Sequence, residues 1–90
     1  MYSVVIPALN EEVGLAETIE EIRSVLSSAC RGALEFVVAD DGSRDRTAEI
    51  AKDLGAEVVS HVSPLGYGRS LKDGIAAAPV FLVMVVDNAL

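Results

Sequence analysis

The sequence predicts a three-layer α/β domain built on four parallel strands. Strand-like and helix-like segments alternate along the chain, and one more strand-like segment ends the series. This is the pattern of parallel strands joined by right-handed helical crossovers. The last segment, Val80–Val86, is apolar throughout, as expected for a strand covered by helices on both faces. Hydrophobic residues make up 51% of the 90 residues, so a small folded core is expected rather than disorder.

Four short apolar segments are predicted to be the strands: residues 2–6, Leu34–Ala39, Glu57–His61 and Val80–Val86. The first is predicted to stop at Pro7. The third alternates only in part between apolar and polar residues, so we expect it to be less buried than the others.

Three segments follow a helical pattern: about Glu11 to Ala29, Asp45 to Leu54 and about Arg69 to Ala78. In the first, apolar residues recur at the spacing of one helix face; they are Leu15, Ile19, Ile22 and Leu26. Asn10 is predicted to cap this helix, and Gly55 is predicted to end the second helix.

The composition limits the class of ligand and the compartment. The formal net charge of −7 argues against a nucleic-acid-binding protein, which needs a basic surface. It does not exclude a nucleotide, because backbone amides, a metal ion and one or two basic side chains can hold a diphosphate. Cys30 is the single cysteine, so no internal disulfide is expected and a cytoplasmic location is predicted. No signal peptide or membrane-spanning segment is recognised in the sequence.

Polar and charged side chains follow the predicted strands. Loops after parallel strands meet at one edge of the sheet, which is where ligands of such folds bind. The segments that fall there are Pro7–Asn10, Asp40–Ser43, the loop at Gly66, and Asp87. The sequence therefore predicts a binding site at this edge.

The segment Asp40-Asp41-Gly42-Ser43 directly follows an apolar strand. Two adjacent carboxylates repel each other, so they need a ligand, a metal ion or solvent. One carboxylate can accept the imino N–H of a nucleobase, and the other can reach a ribose hydroxyl or a metal ion. Gly42 lets the backbone turn tightly. The alternative is that Asp40 and Asp41 are solvated turn residues and Asp45 is only a helix cap.

The segment that runs from Ser3 to Glu12 ends the first strand and starts the first helix. Backbone groups at a strand end can read a nucleobase, and Glu11 can hold a ribose hydroxyl. The alternative is a strand, a proline stop and a capped acidic first turn.

Taken together, VVIPALNEE and DDGSRDRTAEIA resemble the N-terminal half of family-2 glycosyltransferases. That family's D-G-S-x-D-x-T loop is matched position by position by Asp41, Gly42, Ser43, Asp45 and Thr47. Residues 63–75 resemble the family's loop and helix before its metal-binding strand, so the resemblance covers essentially the whole chain. The Gly-Tyr-Gly-Arg segment is most similar to the dolichyl- and polyprenyl-phosphate sugar synthase branch.

The resemblance implies a Rossmann-like GT-A half-domain with strand order 3-2-1-4 and a bound UDP- or GDP-sugar. Asp40 would contact the base, Asp41 would lie towards the ribose and diphosphate, and Arg69 or Lys72 would offset phosphate charge. The residues implied to line the nucleotide are Pro7, Ala8, Asn10, Glu11, Asp40, Asp41, Gly42, Ser43 and Arg69.

Two positions depart from the family pattern. Leu9 stands where the family often has an aromatic residue. The family's Asp-x-Asp, which holds Mg²⁺ or Mn²⁺ against the diphosphate, is here Asp87-Asn88-Ala89. Asp87 alone would contact the metal ion, so we expect metal binding that is weak or absent. We also expect weak sugar-nucleotide binding, because half of the usual enclosing walls of the pocket are missing.

The chain is predicted to be one nucleotide-sugar-binding domain over residues 1–90, truncated before the half that holds the acceptor and the catalytic base. No catalytic residue is assigned, and the chain alone is expected to be inactive. Two alternatives stay open: an α/β half-domain that folds and self-associates without transferring sugar, and a structural domain with a vestigial site. A homo-oligomer formed through strand 80–86 is expected, because this apolar strand lacks protecting charges. His61 is predicted to be an edge residue rather than a ligand.

Overall fold

The structure, a computed structural model, describes residues 2–30, 34–77 and 82–85. Its strands are β1 (Tyr2–Ala8), β2 (Leu34–Asp40), β3 (Glu57–Ser60) and β4 (Leu82–Val85), and its helices are α1 (Leu15–Cys30), α2 (Thr47–Asp53) and α3 (Tyr67–Ala77). Strands and helices alternate along the chain. Of the segment Val80–Val86, residues 82–85 form β4, and the rest lies outside the described residues.

The strands lie side by side in the order β3-β2-β1-β4. Each described pair is parallel, and Ala8 at the end of β1 lies opposite Asp40 at the end of β2. The parallel α/β fold predicted from the alternation is therefore confirmed. Because β1 and β2 end at the same height, the segments that follow them start at the same edge of the sheet.

Helices cover both faces of the sheet. On one face α1 and α2 pack on alternate residues of β1 and β2; the buried residues of this core are Val4, Ile6, Ala8, Leu15, Ile19, Phe36, Val38 and Ala51. On the other face α3 comes so close that a Cβ added to Gly74 would lie 2.6 Å from Val5 Cγ1 and 3.3 Å from Ala39 Cβ. The side chains of successive strand residues point to opposite faces, which accounts for the continuous apolar runs Val4–Ala8 in β1 and Phe36–Ala39 in β2.

The prediction that Pro7 stops the first strand is wrong. Pro7 and Ala8 continue β1 and pair with β2, with Pro7 opposite Ala39. Proline has no N–H to donate to a neighbouring strand. Among the described residues, the pairing of β1 with β4 ends at Val5, so Pro7 lies where the strand has a partner on one side.

The predicted start of the first helix is also wrong. The N–H of Leu15 donates to the Glu11 carbonyl at 2.9 Å, but the residues between them form a turn, and α1 begins at Leu15. Asn10 does not cap this helix. Its φ is 53°, and its side-chain carbonyl accepts the N–H of Arg44.

Gly55 ends the second helix as predicted. Its φ is 83°, and the N–H of Ala56 donates to the carbonyl of Ala51 at 3.0 Å, the bond expected where a glycine in the left-handed region closes a helix. The other helix bounds differ by about one half-turn from the prediction, since α2 begins at Thr47 and α3 at Tyr67.

Within the described residues, no helix is both long and apolar enough to cross a membrane.

Candidate functional site

The segments after β1 and β2 are joined at the sheet edge. The backbone N–H of Asp41 donates to the Ala8 carbonyl at 2.9 Å. The N–H of Asn10 donates to Ser43 Oγ at 2.8 Å, and the Asn10 Oδ1 accepts the N–H of Arg44 at 2.9 Å. The left-handed backbone of Asn10, tolerated best by glycine and asparagine, turns both its N–H and its side chain towards the second segment.

A second set of bonds extends this contact. The N–H of Glu11 donates to Thr47 Oγ1 at 2.9 Å, and the N–H of Glu12 donates to Asp45 Oδ2 at 3.1 Å. In return the Glu12 carboxylate accepts the N–H of Arg46 at 3.4 Å. We call the hydrogen bonds between residues 10–12 and residues 43–47 the loop latch.

Asp45 is the centre of the latch on the α2 side. Its Oδ1 accepts both the N–H (3.0 Å) and the hydroxyl of Thr47, while its Oδ2 accepts the N–H of Glu12. Burial opposes the charged carboxylate, but these donors outweigh it and lower the pKa of Asp45 below its usual value. Asp45 is thus held ionised within a hydrogen-bond network of its own chain. Together with Ser43 and Thr47, it joins two loops through the motif that the sequence singled out.

Asp40 is a buried acceptor at this edge with part of its capacity unused by the described residues. The residue is 4% exposed, its Oδ1 accepts the N–H of Ser43 at 3.1 Å, and its backbone carbonyl accepts the N–H of His61. Its second carboxylate oxygen has no hydrogen bond to the described residues. The arrangement fixes the carboxylate and leaves one oxygen for another donor.

Asp41 has a different environment. Its Oδ1 accepts the N–H of Leu65 at 2.8 Å, its Oδ2 accepts the N–H of Gly66 at 3.0 Å, and Oδ1 also lies 2.8 Å from Nδ1 of His61. Burial opposes ionisation, but the Leu65 amide, the His61 ring and the Gly66 amide outweigh it and lower the pKa of Asp41. The carboxylate therefore holds the loop before α3.

His61 connects this loop to α3. Its Nε2 lies 2.7 Å from Oδ2 of Asp73, and Asp73 also accepts from Nε of Arg69 at 3.0 Å. The hydrogen bonds to Asp41 and then to Asp73 raise the pKa of His61. The hydrogen bond to His61 is the main cause of the lowered pKa of Asp73.

Gly42 lies against the same loop. Its φ is 81°, and an added Cβ would lie 2.6 Å from the carbonyl carbon of Ser63 and 2.7 Å from the nitrogen of Pro64. The Asp40–Ser43 turn and the Ser63–Gly66 loop are therefore in close backbone contact, and only glycine fits at position 42.

The structure brings eight of the nine predicted nucleotide-lining residues to this edge. Pro7 and Ala8 are buried in β1, and Glu11 contributes its N–H to the latch. Arg69 lies on α3 with its side chain 58% exposed and paired with Asp73, and a role against a phosphate stays a prediction for it.

The predicted metal ligand Asp87 lies outside the described residues. In the part of the chain that the structure describes, no group of three or more histidine, cysteine and acidic side chains could hold a metal ion.

Sequence reasoning missed the partnership of His61 with Asp41 and Asp73. The spacing of Arg69 and Asp73, four residues apart on one helix, indicates an ion pair from sequence. Nothing in the sequence shows that His61 reaches that pair, because the contact depends on how α3 packs beside β3.

Comparison with known proteins decides the family. The model of the family described as "Glycosyl transferase family 2" matches residues 3–88 of the 90. This chain belongs to glycosyl transferase family 2. The predicted resemblance is thereby confirmed over nearly the whole sequence.

The relatives of this family-2 chain include a polyprenyl-phosphate sugar transferase. It is 41% identical over 96 aligned positions to undecaprenyl-phosphate 4-deoxy-4-formamido-L-arabinose transferase of Pseudomonas paraeruginosa, covering 100% of this chain and 28% of the relative. An uncharacterized protein of Methanocaldococcus jannaschii is 37% identical over 83 residues, covering 92% of this chain and 32% of the relative.

Solved structures of glucosyl-3-phosphoglycerate synthase from Mycobacterium tuberculosis share the fold. The complex with Mn²⁺, UDP and phosphoglyceric acid superposes with a TM-score of 0.76 at 38% identity, covering 97% of this chain and 32% of the synthase. The complex with UDP alone gives a TM-score of 0.72 at 37% identity, covering 100% of this chain and 34% of the synthase. This family-2 chain therefore spans about a third of the length of the relatives that it matches.

Proposed function

We propose that this chain binds the nucleotide of a UDP- or GDP-sugar across the segments Pro7–Glu11 and Asp40–Ser43, and that the whole protein transfers the sugar. The observation that carries the proposal is the Asp40 carboxylate. It is buried at the shared edge of β1 and β2, and one oxygen is held by the Ser43 amide. Relatives of the same family contain UDP in their structures.

The chemistry of Asp40 suits uracil or guanine. Both bases present an imino N–H, and a carboxylate is a pure acceptor when ionised. The oxygen of Asp40 that lacks a partner among the described residues would accept this N–H. Adenine and cytosine present a ring-nitrogen acceptor at the equivalent position, which would face the carboxylate unfavourably. We therefore expect uridine and guanosine nucleotides to bind in preference to adenosine and cytidine nucleotides.

The loop latch supports the rest of the proposed site. It fixes the Pro7–Glu11 segment beside the Asp40–Ser43 turn through bonds that do not use the Glu11 carboxylate. That carboxylate has no hydrogen bond to the described residues, and we assign it to a ribose hydroxyl. Asp87 remains the predicted ligand of a divalent metal ion; Mn²⁺ accompanies UDP in the synthase complex.

Calorimetric titration of the chain with UDP and with GDP, each with and without Mn²⁺, tests the proposal. We expect binding with a dissociation constant on the order of 0.1 mM or weaker, since much of the pocket that encloses a ligand would come from the remainder of the protein. Asp40→Ala should abolish the signal. Asp40→Asn, which keeps the shape, should weaken binding roughly tenfold or more, because a charge-assisted hydrogen bond contributes about 1.5–3 kcal/mol.

The matched control is Asp53→Asn, on an exposed residue at the end of α2. It removes the same charge away from the sheet edge and should leave the affinity unchanged. Equal affinities for the wild type and Asp40→Asn would remove Asp40 from the site, and an absence of UDP and GDP binding would contradict the proposed function.

We also propose that the protein is cytoplasmic.

We further propose that the chain self-associates through residues 80–86. The apolar segment contains no lysine or proline that would discourage edge pairing. We expect the chain to sediment at equilibrium as a dimer or larger species and a Val83→Lys variant to sediment as a monomer. A monomeric parent at high micromolar concentration would contradict this.

A further inference from the structure

We propose that Asp41, His61 and Asp73 are positioning residues of the nucleotide site, and that they hold the Ser63–Gly66 loop against the turn that carries Asp40. The proposal rests on the proposed function, because it concerns the same site. It assigns Asp41 to the support of the site instead of to the ribose and diphosphate.

Asp41 uses most of its hydrogen-bonding capacity within its own chain. Its side chain is 9% exposed, and its two oxygens accept from Leu65, Gly66 and the His61 ring. A carboxylate has about four acceptor sites, so little of its capacity is left for a ligand. The two amide donors belong to the loop before α3, and His61 lies two residues before that loop.

His61 lies between two carboxylates, which bears on its protonation. Both ring nitrogens lie within 2.8 Å of a carboxylate oxygen, Nδ1 beside Asp41 and Nε2 beside Asp73. A neutral imidazole donates from one nitrogen only, and the other would place its lone pair against a carboxylate; the imidazolium donates from both. With both carboxylates ionised, the observed geometry therefore favours the charged form of His61.

His61 is connected to the nucleotide site through β2 and the loop before α3. His61 is fixed to β2 through the bond from its N–H to the Asp40 carbonyl. The loop held by Asp41 is in backbone contact with Gly42, and the next amide, Ser43 N–H, holds the Asp40 carboxylate. Loosening the loop therefore frees the turn that orients the base-reading group.

The pH dependence follows from the charges that face His61. These are Asp41, directly after β2, and Asp73 on α3; Arg69 is paired with Asp73. Because the pKa of His61 is raised from 6.5 on folding, its stabilising contribution is complete below pH 6.5 and is lost as the pH rises through the raised value. Because the pKa values of Asp41 and Asp73 are lowered from 3.8, their contribution is complete above pH 3.8 and is lost as the pH falls through the lowered values.

The first measurement is an NMR titration without nucleotide. His61 is the single histidine of the sequence, so its ring signals are unambiguous. We expect a ring pKa above 6.5, with the amide signals of Leu65 and Gly66 shifting at the same midpoint. Asp73→Asn should lower that midpoint, whereas Asp53→Asn should not change it. A ring pKa at or below 6.5, or amides that do not follow it, would overturn the proposal.

The second measurement is the affinity for UDP-glucose, or for a GDP-sugar if guanine is preferred, across the same pH range. Both phosphates of these ligands are esterified, so the ligand itself does not titrate near neutral pH. We expect the affinity to fall about fivefold or more as the pH rises through the His61 midpoint, and Asp73→Asn to move this fall to lower pH. Affinity that stays constant while the amides titrate would show that the loop does not position the site. No binding at any pH would instead contradict the proposed function, and the amide titration would still report whether the Asp41–His61–Asp73 contacts exist.

Discussion

Replacing Gly42 with alanine is expected to destabilise the fold by about 2–5 kcal/mol. Two effects combine. A non-glycine residue in the left-handed region costs about 1–2 kcal/mol, and the added Cβ would lie 2.6–2.9 Å from three backbone atoms of Ser63 and Pro64, an overpacking that costs roughly 1–3 kcal/mol. Backbone atoms cannot rotate away as a flexible side chain can, so the two loops must separate. Urea unfolding followed by circular dichroism measures the loss.

Gly55→Ala is the matched control. Gly55 has nearly the same φ, 83°, but no atom lies within 4 Å of an added Cβ. Its substitution should therefore show only the conformational cost of about 1–2 kcal/mol. If both variants lose the same stability, the close contact between Gly42 and the Ser63–Gly66 loop is absent in solution.

Ile19→Ala should have a comparable effect, a loss of about 2–5 kcal/mol. Ile19 is fully buried where α1 packs on the sheet. The substitution removes apolar contacts and leaves a cavity. The neighbouring strands can fill this cavity only in part, because the hydrogen bonds between them hold them in place. A small domain has a total stability of roughly 5–15 kcal/mol, so this variant would be close to unfolding at moderate temperature.

Val25→Ala on the same helix is the control for Ile19→Ala. Val25 is 72% exposed, so the Val25→Ala substitution should change the free energy of unfolding by less than about 0.5 kcal/mol. Both variants should keep the parent's dependence on urea concentration, which reflects the surface exposed on unfolding. A loss in Val25→Ala as large as that in Ile19→Ala would mean that α1 is oriented differently on the sheet.

The architecture could be predicted because it depends on patterns that are local in the sequence. Hydrophobic periodicity in the sequence indicates the apolar strands and the helix face that carries Leu15 and Ile19. The backbone preference of glycine indicates the helix end at Gly55. The start of α1 could not be predicted in this way. Asn10 is a good helix cap by propensity, but its side chain binds the Arg44 amide, and that competitor is 34 residues away in the sequence.

The candidate site shows the same division. The sequence motifs indicated Asp40–Ser43 and Pro7–Glu11 as the site. However, they assigned both adjacent carboxylates, Asp40 and Asp41, to contacts with the nucleotide. Their tasks differ because successive residues point to different sides of the sheet edge. Asp40 keeps an oxygen without a described partner, whereas Asp41 meets the loop before α3 and His61. Which neighbour each side chain meets is a tertiary fact that no local pattern contains.

The loop latch explains which positions of the family's D-G-S-x-D-x-T motif require a particular residue in this chain. In the loop latch, the specified positions Ser43, Asp45 and Thr47 contribute side-chain oxygens. The unspecified positions, Arg44 and Arg46, contribute only their backbone N–H groups, which donate to Asn10 and Glu12. A side-chain requirement restricts the amino acid; a backbone requirement admits every amino acid except proline, which has no N–H. Positions 44 and 46 should therefore tolerate every amino acid except proline. A library randomised at these two positions should be depleted of proline alone.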